Sequence, residues 1–314
     1  MLTFVTADEA SLDAFLAVSA DSPYHAQLGE YLGSLLRQRA TRPEWCLLGL
    51  EAGAPVARAA LWAPAGQAVP TDFVLIDADW GEEGLSSGHA LIARLHELAR
   101  DLGAEALSHH VDDPPAAPQY QEHAEARTRL LDESGYTLLR DGLRWRYSST
   151  SSQQAPPDPS LAFRSLAEVG DEPFVAAIAS TYEGTRDSWL TRSIEEHGAL
   201  GAARADFIDA QAIEYEPDWW ELAYLDDGTL AGVIMAAKNP SSAVVWYVGV
   251  VPEARGRGLA TQLVRRGTER LLAAGADEIR GDCDRDNVGM VKGFERAGYE
   301  QFARRRSYRL ALSA

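Results

Sequence analysis

Apolar and polar positions in the second half of the chain change their period repeatedly, and each change predicts a strand or a helix. One run carries apolar residues at helical spacing, namely Leu259, Leu263, Val264 and Leu271. The run 244–251 is instead apolar and rich in valine, as in a buried strand. The same pattern predicts strands at 162–166, 220–225, 230–237, 244–251 and 278–283, helices at 171–181, 191–213, 259–272 and 288–297, and a final strand.

The first half shows the same order of features, which indicates a tandem repeat. Phe4, Glu9 and Phe15 match Phe163, Glu168 and Phe174 at one constant offset, and 45–50 and 131–136 match 219–224 and 294–299 in turn. Between the copies lies a polar, proline-rich segment that can neither bury apolar surface nor sustain a helix. We therefore predict an α/β protein with two tandem domains, 1–147 and 161–314, joined by a linker at 148–160.

Charge and composition restrict the partners. The 314 residues carry a formal net charge of −18, whereas a nucleic-acid partner requires a basic face. An acidic field suits a cationic substrate such as an amine, although it also simply keeps a protein soluble. No apolar run approaches the roughly 20 residues that span a bilayer, and the first residues have no secretory pattern. We expect a cytoplasmic protein with reduced Cys46 and Cys283, without a membrane partner or a metal site; its oligomeric state stays open.

The segment 250–261 carries the chemistry, because it joins a predicted strand to a helix start. Gly256 and Gly258 remove side chains that would keep a ligand from the backbone. Amides at a helix start point outward at the positive end of the dipole, and Arg255 and Arg257 add positive charge. The segment lacks the Gly-Lys-Ser/Thr of a P-loop, and Thr261 stands where a dinucleotide fingerprint needs a glycine. These residues predict a cradle for a phosphate or diphosphate.

The pattern Arg255-x-x-Gly258-x-Ala260, followed by Asn287, Phe294 and Gly298-Tyr299, resembles the acetyl-CoA motif of the GNAT superfamily of N-acetyltransferases. The resemblance implies tandem GNAT-like domains, each a mixed, mostly antiparallel sheet flanked by helices. It also implies transfer of an acetyl group from acetyl-CoA to the primary amine of a small acceptor. The residues that it assigns to the cofactor are Val248, Gly249 and Val250 for the pantetheine arm, Arg255, Gly256, Arg257, Gly258, Leu259, Ala260 and Thr261 for the pyrophosphate, and Asn287 and Phe294 beside them.

The catalytic candidates follow from one departure from the family pattern. Where the family usually has a tyrosine that protonates the departing thiolate, this chain has Phe294, which cannot donate a proton. Tyr247 is the first substitute that we consider, against the alternative that it only packs in the core. For the base that deprotonates the amine, we consider Asp284 and Glu221, against a purely surface role for each. A rival interpretation is a non-catalytic acyl-CoA-binding sensor or scaffold.

The first copy lacks the arginines of the cradle. Its corresponding segment instead carries Asp77, Asp79, Glu82 and Glu83, which would repel a pyrophosphate. We therefore expect CoA to bind to the second copy only. The first copy would cover the second, complete the substrate cleft or bind some other ligand.

Overall fold

The computed structural model describes residues 2–81, 85–150, 161–239 and 242–312. Most of the predicted linker, and with it residues 151–160, lies outside this range, as do Glu82 and Glu83. The chain forms two compact units, Met1–Arg140 with Arg304–Ala314 and Asp141–Ala303. None of the helices in the described ranges is long and apolar enough to cross a bilayer.

Both halves of the chain repeat one order of elements, as the sequence pattern predicts. The first half contains β1 (Leu2–Thr6), α1 (Leu12–Ala17), α2 (His25–Arg37), β2 (Cys46–Glu51), β3 (Ala54–Trp62), β4 (Asp72–Asp77), α3 (Leu85–Asp101), β5 (Ala106–Asp113), α4 (Ala124–Glu133) and β6 (Thr137–Ser148). The second half contains β7 (Ala162–Ser165), α5 (Leu166–Val169), α6 (Asp171–Ser180), α7 (Ser188–Gln211), β8 (Trp220–Tyr224), β9 (Leu230–Asn239), β10 (Ser242–Val250), α8 (Leu259–Ala273), β11 (Glu278–Asp284), α9 (Val288–Arg296) and β12 (Glu300–Ala311). The predicted mixed, mostly antiparallel sheet with flanking helices is confirmed.

The strand that closes each half pairs in the other unit. In the second unit the order is β6-β11-β10-β9-β8-β7, and β6 pairs with β11 through Tyr147 opposite Ile279. In the first unit the order is β1-β2-β3-β4-β5-β12, and β12 pairs with β5 through Ser307 opposite His110. The predicted halves thus describe the repeat in the sequence, whereas the compact units follow the strand pairing.

The sheet of the second unit is covered by apolar side chains on both faces. One face packs Ile234 against Leu263 of α8 and Phe294 of α9. The other face packs Trp220 against Phe174 of α6 and Phe207 of α7. Residues of neighbouring strands that stand opposite each other share a face, so the strand register decides which side each candidate residue serves.

Candidate active site

Two neighbouring parallel strands of the second unit separate partway along their length. Among the described residues of β10, only Ala243 and Val244 pair with β11. A register irregularity follows Val245. β10 then continues to Val250 and β11 to Asp284. A gap therefore opens between the two strands toward their carboxyl ends, which is where open α/β sheets place their ligands.

The backbone of β10 supplies hydrogen-bonding groups to this gap. The N–H of Val251 donates to the carbonyl of Ala231 at 3.0 Å, so Val251 faces β9. Successive residues of an antiparallel ladder point alternately to opposite sides. Gly249 consequently faces β9, while Val248 and Val250 direct their N–H and C=O groups toward the gap. Of the three residues expected to bind the pantetheine arm, the geometry favours these two.

The loop that follows β10 presents a short run of backbone amides. The N–H of Arg255 donates to Pro252 at 3.2 Å, and the N–H of Thr261 donates to Gly258 at 3.1 Å. The amides of residues 256–260 lie between these two bonds, and the last of them belong to the first turn of α8, where N–H groups have no intrahelical partner. The amides suited to a diphosphate are therefore those of 256–260.

Two glycines keep the space in front of these amides open. Gly256 has φ 79° and Gly258 has φ 78°, and a Cβ added at either would meet no atom of the described ranges within 4 Å. Other residues reach this left-handed conformation only with strain. The positive end of the α8 dipole adds a favourable field for an anion.

The two arginines of the cradle differ in their contacts. Arg255 donates through Nε to the Val250 carbonyl at 3.1 Å and through Nη2 to the Thr181 carbonyl at 2.9 Å. Its side chain therefore ties the end of β10 to the end of α6. Arg257 is exposed, and its one hydrogen bond to the described residues is long, from Nη2 to the Glu253 carbonyl at 3.4 Å. The guanidinium group of Arg257 is therefore held by fewer contacts than that of Arg255.

Tyr247 lies on β10 beside the groups that line the gap. Its phenolic oxygen is 2.5 Å from the hydroxyl of Thr181. A Cβ on Gly249 would lie 2.7 Å from this phenolic oxygen, so the phenol extends along the strand over Gly249. Burial raises the pKa of Tyr247 above its ordinary value. The phenol is therefore protonated at neutral pH, as a proton donor must be.

Asp284 ends β11 on the opposite side of the gap. Its side chain is buried, and Oδ2 accepts a hydrogen bond of 2.8 Å from the N–H of Ser188, the first residue of α7. Asp187 caps the same helix through Trp189 and Leu190. Asp284 therefore fastens the start of α7 beside the gap, with one carboxylate oxygen engaged in doing so.

Glu221 lies away from these residues. It stands opposite Ile234, which stands opposite Val248, so all three share the face covered by α8. Tyr247 is on the other face. Glu221 is 2% exposed, and its carboxylate accepts hydrogen bonds from Arg266 at 2.7 Å and from Arg270 at 2.5 Å.

The electrostatics of Glu221 also disfavour its candidacy as the base. Burial acts to raise its pKa, but the bonds from Arg266 and Arg270 outweigh burial and lower the pKa. A carboxylate held ionised by two arginines is a weak base. The geometry gives Glu221 a structural task, the attachment of α8 to the sheet, in place of the expected catalytic one.

Asn287 and Phe294 occupy neighbouring positions with different exposure. The Oδ1 atom of Asn287 caps α9 by accepting from the N–H of Met290 at 3.3 Å, which leaves its amide NH₂ as a donor. Phe294 is 2% exposed, and its ring stacks on that of Trp145 with 5.8 Å between the ring centroids. A Cβ on Gly281 would come within 2.6 Å of its ring. Phe294 thus closes the base of the gap as a core residue.

Three side chains that the sequence analysis does not select surround Tyr247. Thr181 and Tyr182 follow α6, and the Tyr182 ring lies edge-on to Tyr247 at 6.3 Å. The Tyr182 hydroxyl donates to Asp206 of α7, and burial raises the pKa of Asp206. No local motif marks these residues, because only the packing of α6 and α7 on the sheet brings them to β10.

The first unit fills the equivalent gap differently. β4 pairs with the parallel β5 at Asp72 alone among the described residues. Arg127 of α4 donates to the Ile76 carbonyl at 2.5 Å and to Asp77 at 3.3 Å, at the end of β4. It also donates to the Glu122 carbonyl at 2.5 Å. A buried guanidinium therefore occupies the position that a pantetheine arm would need.

Comparison with known proteins agrees with this geometry. Residues 179–299, which include the gap and the amide cradle, match the acetyltransferase (GNAT) family. Residues 179–299 form a GNAT acetyltransferase domain. The chain is an acyltransferase, and acetyltransferases of this family take their acetyl group from acetyl-CoA. Over the described residues, no group of His, Cys, Asp and Glu side chains could hold a metal ion.

Relatives extend the similarity beyond that domain. The chain is 29% identical over 225 residues to a mycothiol acetyltransferase from Clavibacter michiganensis subsp. michiganensis, and 26% identical over 223 residues to one from Clavibacter sepedonicus. Each match covers 69% of this chain and 69% of the relative. The matches are longer than one domain, in agreement with the tandem architecture.

Two solved structures share the fold. A GCN5-related N-acetyltransferase from Sphaerobacter thermophilus superposes with a TM-score of 0.61 at 17% identity, covering 100% of this chain and 96% of that chain. A tandem GNAT protein from the clavulanic acid biosynthesis pathway superposes with a TM-score of 0.52 at 17% identity, covering 100% of this chain and 99% of that chain.

Proposed function

We propose that the second unit transfers an acetyl group from acetyl-CoA to the primary amine of a small acceptor. The observation that carries the proposal is the separation of β10 from β11 directly before an open amide cradle. A gap lined by backbone groups suits the amides of a pantetheine arm, and the cradle suits a pyrophosphate. The two features adjoin along one stretch of chain, as a single extended cofactor requires.

Each part of the cofactor has its own protein groups. The amides of 256–260 and the charge of Arg257 hold the pyrophosphate. The backbone groups of Val248 and Val250 bind the pantetheine arm from one side, and the amide NH₂ of Asn287 binds it from the other. Holding thioester and amine in line converts a bimolecular step into an effectively intramolecular one. The N–H of Val250 stabilises the oxyanion that forms on the thioester carbonyl.

An ammonium group approaches through an acidic region. Asp206 and Asp187 both lie close enough to Tyr247 to raise its pKa further, after burial, which is the larger cause. Their field attracts a cationic acceptor. We assign the deprotonation to Asp284, acting directly or through water. The amine nitrogen then attacks the thioester carbon, the carbon–sulfur bond breaks, and Tyr247 protonates the departing thiolate. The nitrogen gives up its remaining extra proton, which restores the Tyr247 phenol and leaves the neutral amide.

The relatives suggest where to search for the acceptor. Two of them carry the name mycothiol acetyltransferase. The acceptor of those mycothiol acetyltransferases is therefore one compound to test, beside simple primary amines, amino sugars and amino acids. A small acceptor fits the proposal because it must reach the gap between β10 and β11.

Release of free CoA from acetyl-CoA, measured against this panel of amines, tests the function. We expect acceptor-dependent release by the parent protein and none by Gly258→Asp, whose side chain fills the cradle. Mass spectrometry of the product should show one added acetyl group on nitrogen. Binding of acetyl-CoA without turnover of any amine would favour the rival interpretation, a sensor or scaffold.

A further inference from the structure

A buried charge cluster in the first unit contains two cations and one anion. Arg58 of β3 and Arg127 of α4 are 1% and 4% exposed. The Nη2 atoms of Arg58 and Arg127 lie 3.8 Å and 3.3 Å from the Asp77 carboxylate. Asp77 also accepts from the indole N–H of Trp80 at 2.7 Å. One carboxylate shared in this way leaves these three groups with an excess of one positive charge, and Glu122 offsets part of it through its electrostatic interaction with Arg127.

The two arginines differ in how well they are satisfied. Arg127 donates from Nε, Nη1 and Nη2 to Glu122, Ile76 and Asp77, respectively. Within the part of the chain that the structure describes, Arg58 makes one hydrogen bond, from Nη1 to the Phe15 carbonyl at 3.3 Å. Its buried Nε has no hydrogen-bond partner among the described residues. A guanidinium has five N–H donors, and leaving buried charged donors without acceptors is costly.

A cavity of about 270 Å³ reaches this cluster. Its walls include Arg58, Asp77 and Arg127, together with Asp21 and Glu122. The arginines lie in the buried part, whereas Asp21 is exposed and Glu122 is half-buried. A volume of this size equals about nine water molecules, so only a compact ligand fits. The acidic groups near the solvent disfavour ligands with several negative charges, such as CoA phosphates.

We propose that this cavity binds a small carboxylate, whose oxygens accept hydrogen bonds from Arg58. A carboxylate supplies the acceptor atoms that Arg58 lacks and balances the excess charge of the cluster. Its single charge is compatible with Asp21 and Glu122 at the outer part of the cavity, and an ammonium group on the same ligand would gain from them. In the alignment that pairs Gly135 with Gly298, Arg127 stands where the second unit has Met290. Arg127 therefore has no charged counterpart at the aligned position of the second copy.

Isothermal titration calorimetry on the full chain tests this inference. The ligands to titrate are acetate, propionate, glycine, β-alanine and inorganic phosphate. We expect a carboxylate or an amino acid to bind, and phosphate to bind at least about tenfold more weakly. Arg58→Gln should weaken carboxylate binding at least about tenfold, because the variant loses one hydrogen bond between charged groups. Arg94→Gln, on the exposed surface of α3 in the same unit, should leave it unchanged.

A second variant keeps the test decisive if Arg58→Gln does not fold. Ala78→Phe places a ring in the cavity, whose wall includes Ala78, while both arginines stay. It should abolish carboxylate binding. Absence of carboxylate binding by the parent, or equal binding by the parent and Ala78→Phe, would overturn the proposal. Acetyl transfer by the same preparations is measured separately, so a failure here is distinguishable from a failure of the proposed catalytic function.

Discussion

The phenol of Tyr247 reaches the Thr181 hydroxyl because Gly249, which lies under the contact, has no side chain. The two oxygens are 2.5 Å apart, and a Cβ on Gly249 would lie 2.5 Å from Oγ1 of Thr181. Thr181 itself donates to the Ile178 carbonyl at 2.7 Å. Its hydroxyl is therefore an acceptor toward Tyr247, and the Tyr247 phenol donates.

Replacing Tyr247 by phenylalanine tests its role as proton donor. A lost general acid typically costs about 10²–10⁴ in rate. We expect kcat of Tyr247→Phe to fall in this range, while the Kd of acetyl-CoA stays that of the parent. Tyr215→Phe, another tyrosine packed on the same face of the sheet, should leave both constants unchanged. An unaffected kcat in Tyr247→Phe would show that the thiolate, with a thiol pKa of about 8.5, departs without this acid.

Gly249→Ala should disrupt the same contact from the strand side. The added Cβ would lie 2.5 Å from Oγ1 and 2.7 Å from Cβ of Thr181. Overpacking of this kind costs about 1–3 kcal/mol, so we expect urea unfolding to show a lower stability and assays to show a lower kcat. Gly29→Ala, whose nearest neighbour would be at 3.6 Å, is the matched control. Parent-like stability and kcat in Gly249→Ala would contradict the close packing.

The local parts of the site could be predicted from the sequence. The Arg255–Thr261 segment carries its own turn, its glycines and its helix start, so periodicity and backbone chemistry place the cradle. α7 begins at Ser188, three residues before the expected start, because Asp187 caps it and Asp284 accepts from Ser188. The latter contact joins residues far apart in the chain, and no spacing rule contains it.

The parts that depend on packing could not be predicted. Glu221 precedes the site in the sequence like a candidate base, yet the strand register turns it to the face of α8, where Arg266 and Arg270 hold it. The exchange of β6 and β12 is equally invisible, since an alternating strand pairs with either neighbour. Such features follow from which surfaces meet, and a single sequence does not show this.

Gly258→Asp should abolish binding of acetyl-CoA without unfolding the protein. The side chain would enter open space in front of the amides and repel the pyrophosphate. Calorimetry should show no binding, and circular dichroism should show a parent-like fold. Gly53→Asp, in a hairpin turn of the first unit, has the same left-handed backbone, open surroundings and change of charge. Binding by Gly258→Asp as tight as in this control would mean that the cradle is elsewhere.

The buried His109 should make the first unit sensitive to acid. Its Nδ1 lies 2.8 Å from the Phe73 carbonyl and its Nε2 lies 2.9 Å from the side-chain nitrogen of Gln121, so the ring has no place for a second proton. Burial lowers its pKa from 6.5 to about 3. The unfolded chain therefore binds the proton first as the pH falls below 6.5. The free energy of unfolding therefore falls progressively as the pH decreases from 6.5 to about 3. At pH 4.5 this free energy is lower by about 2–3 kcal/mol than at neutral pH.

Urea unfolding at pH 7 and pH 4.5 checks the contribution of His109. We expect His109→Gln to lose less stability between the two pH values than the parent, by roughly the 2–3 kcal/mol just derived, whatever its stability at pH 7. His197→Gln, at an exposed position of α7, should lose as much as the parent. Equal losses in His109→Gln and the parent would mean that another group controls the acid response.

The full chain should bind one acetyl-CoA. In the first unit Arg127 occupies the place of a pantetheine arm, and the segment after β4 carries the acidic Asp79 where the second unit has the arginines of its cradle after β10. Calorimetric titration should give one site per chain, and Gly258→Asp should remove it entirely. Cutting the chain into halves is a poor alternative, because each half contributes a strand to the other unit. A second site that survives Gly258→Asp would show that the first unit also holds the cofactor.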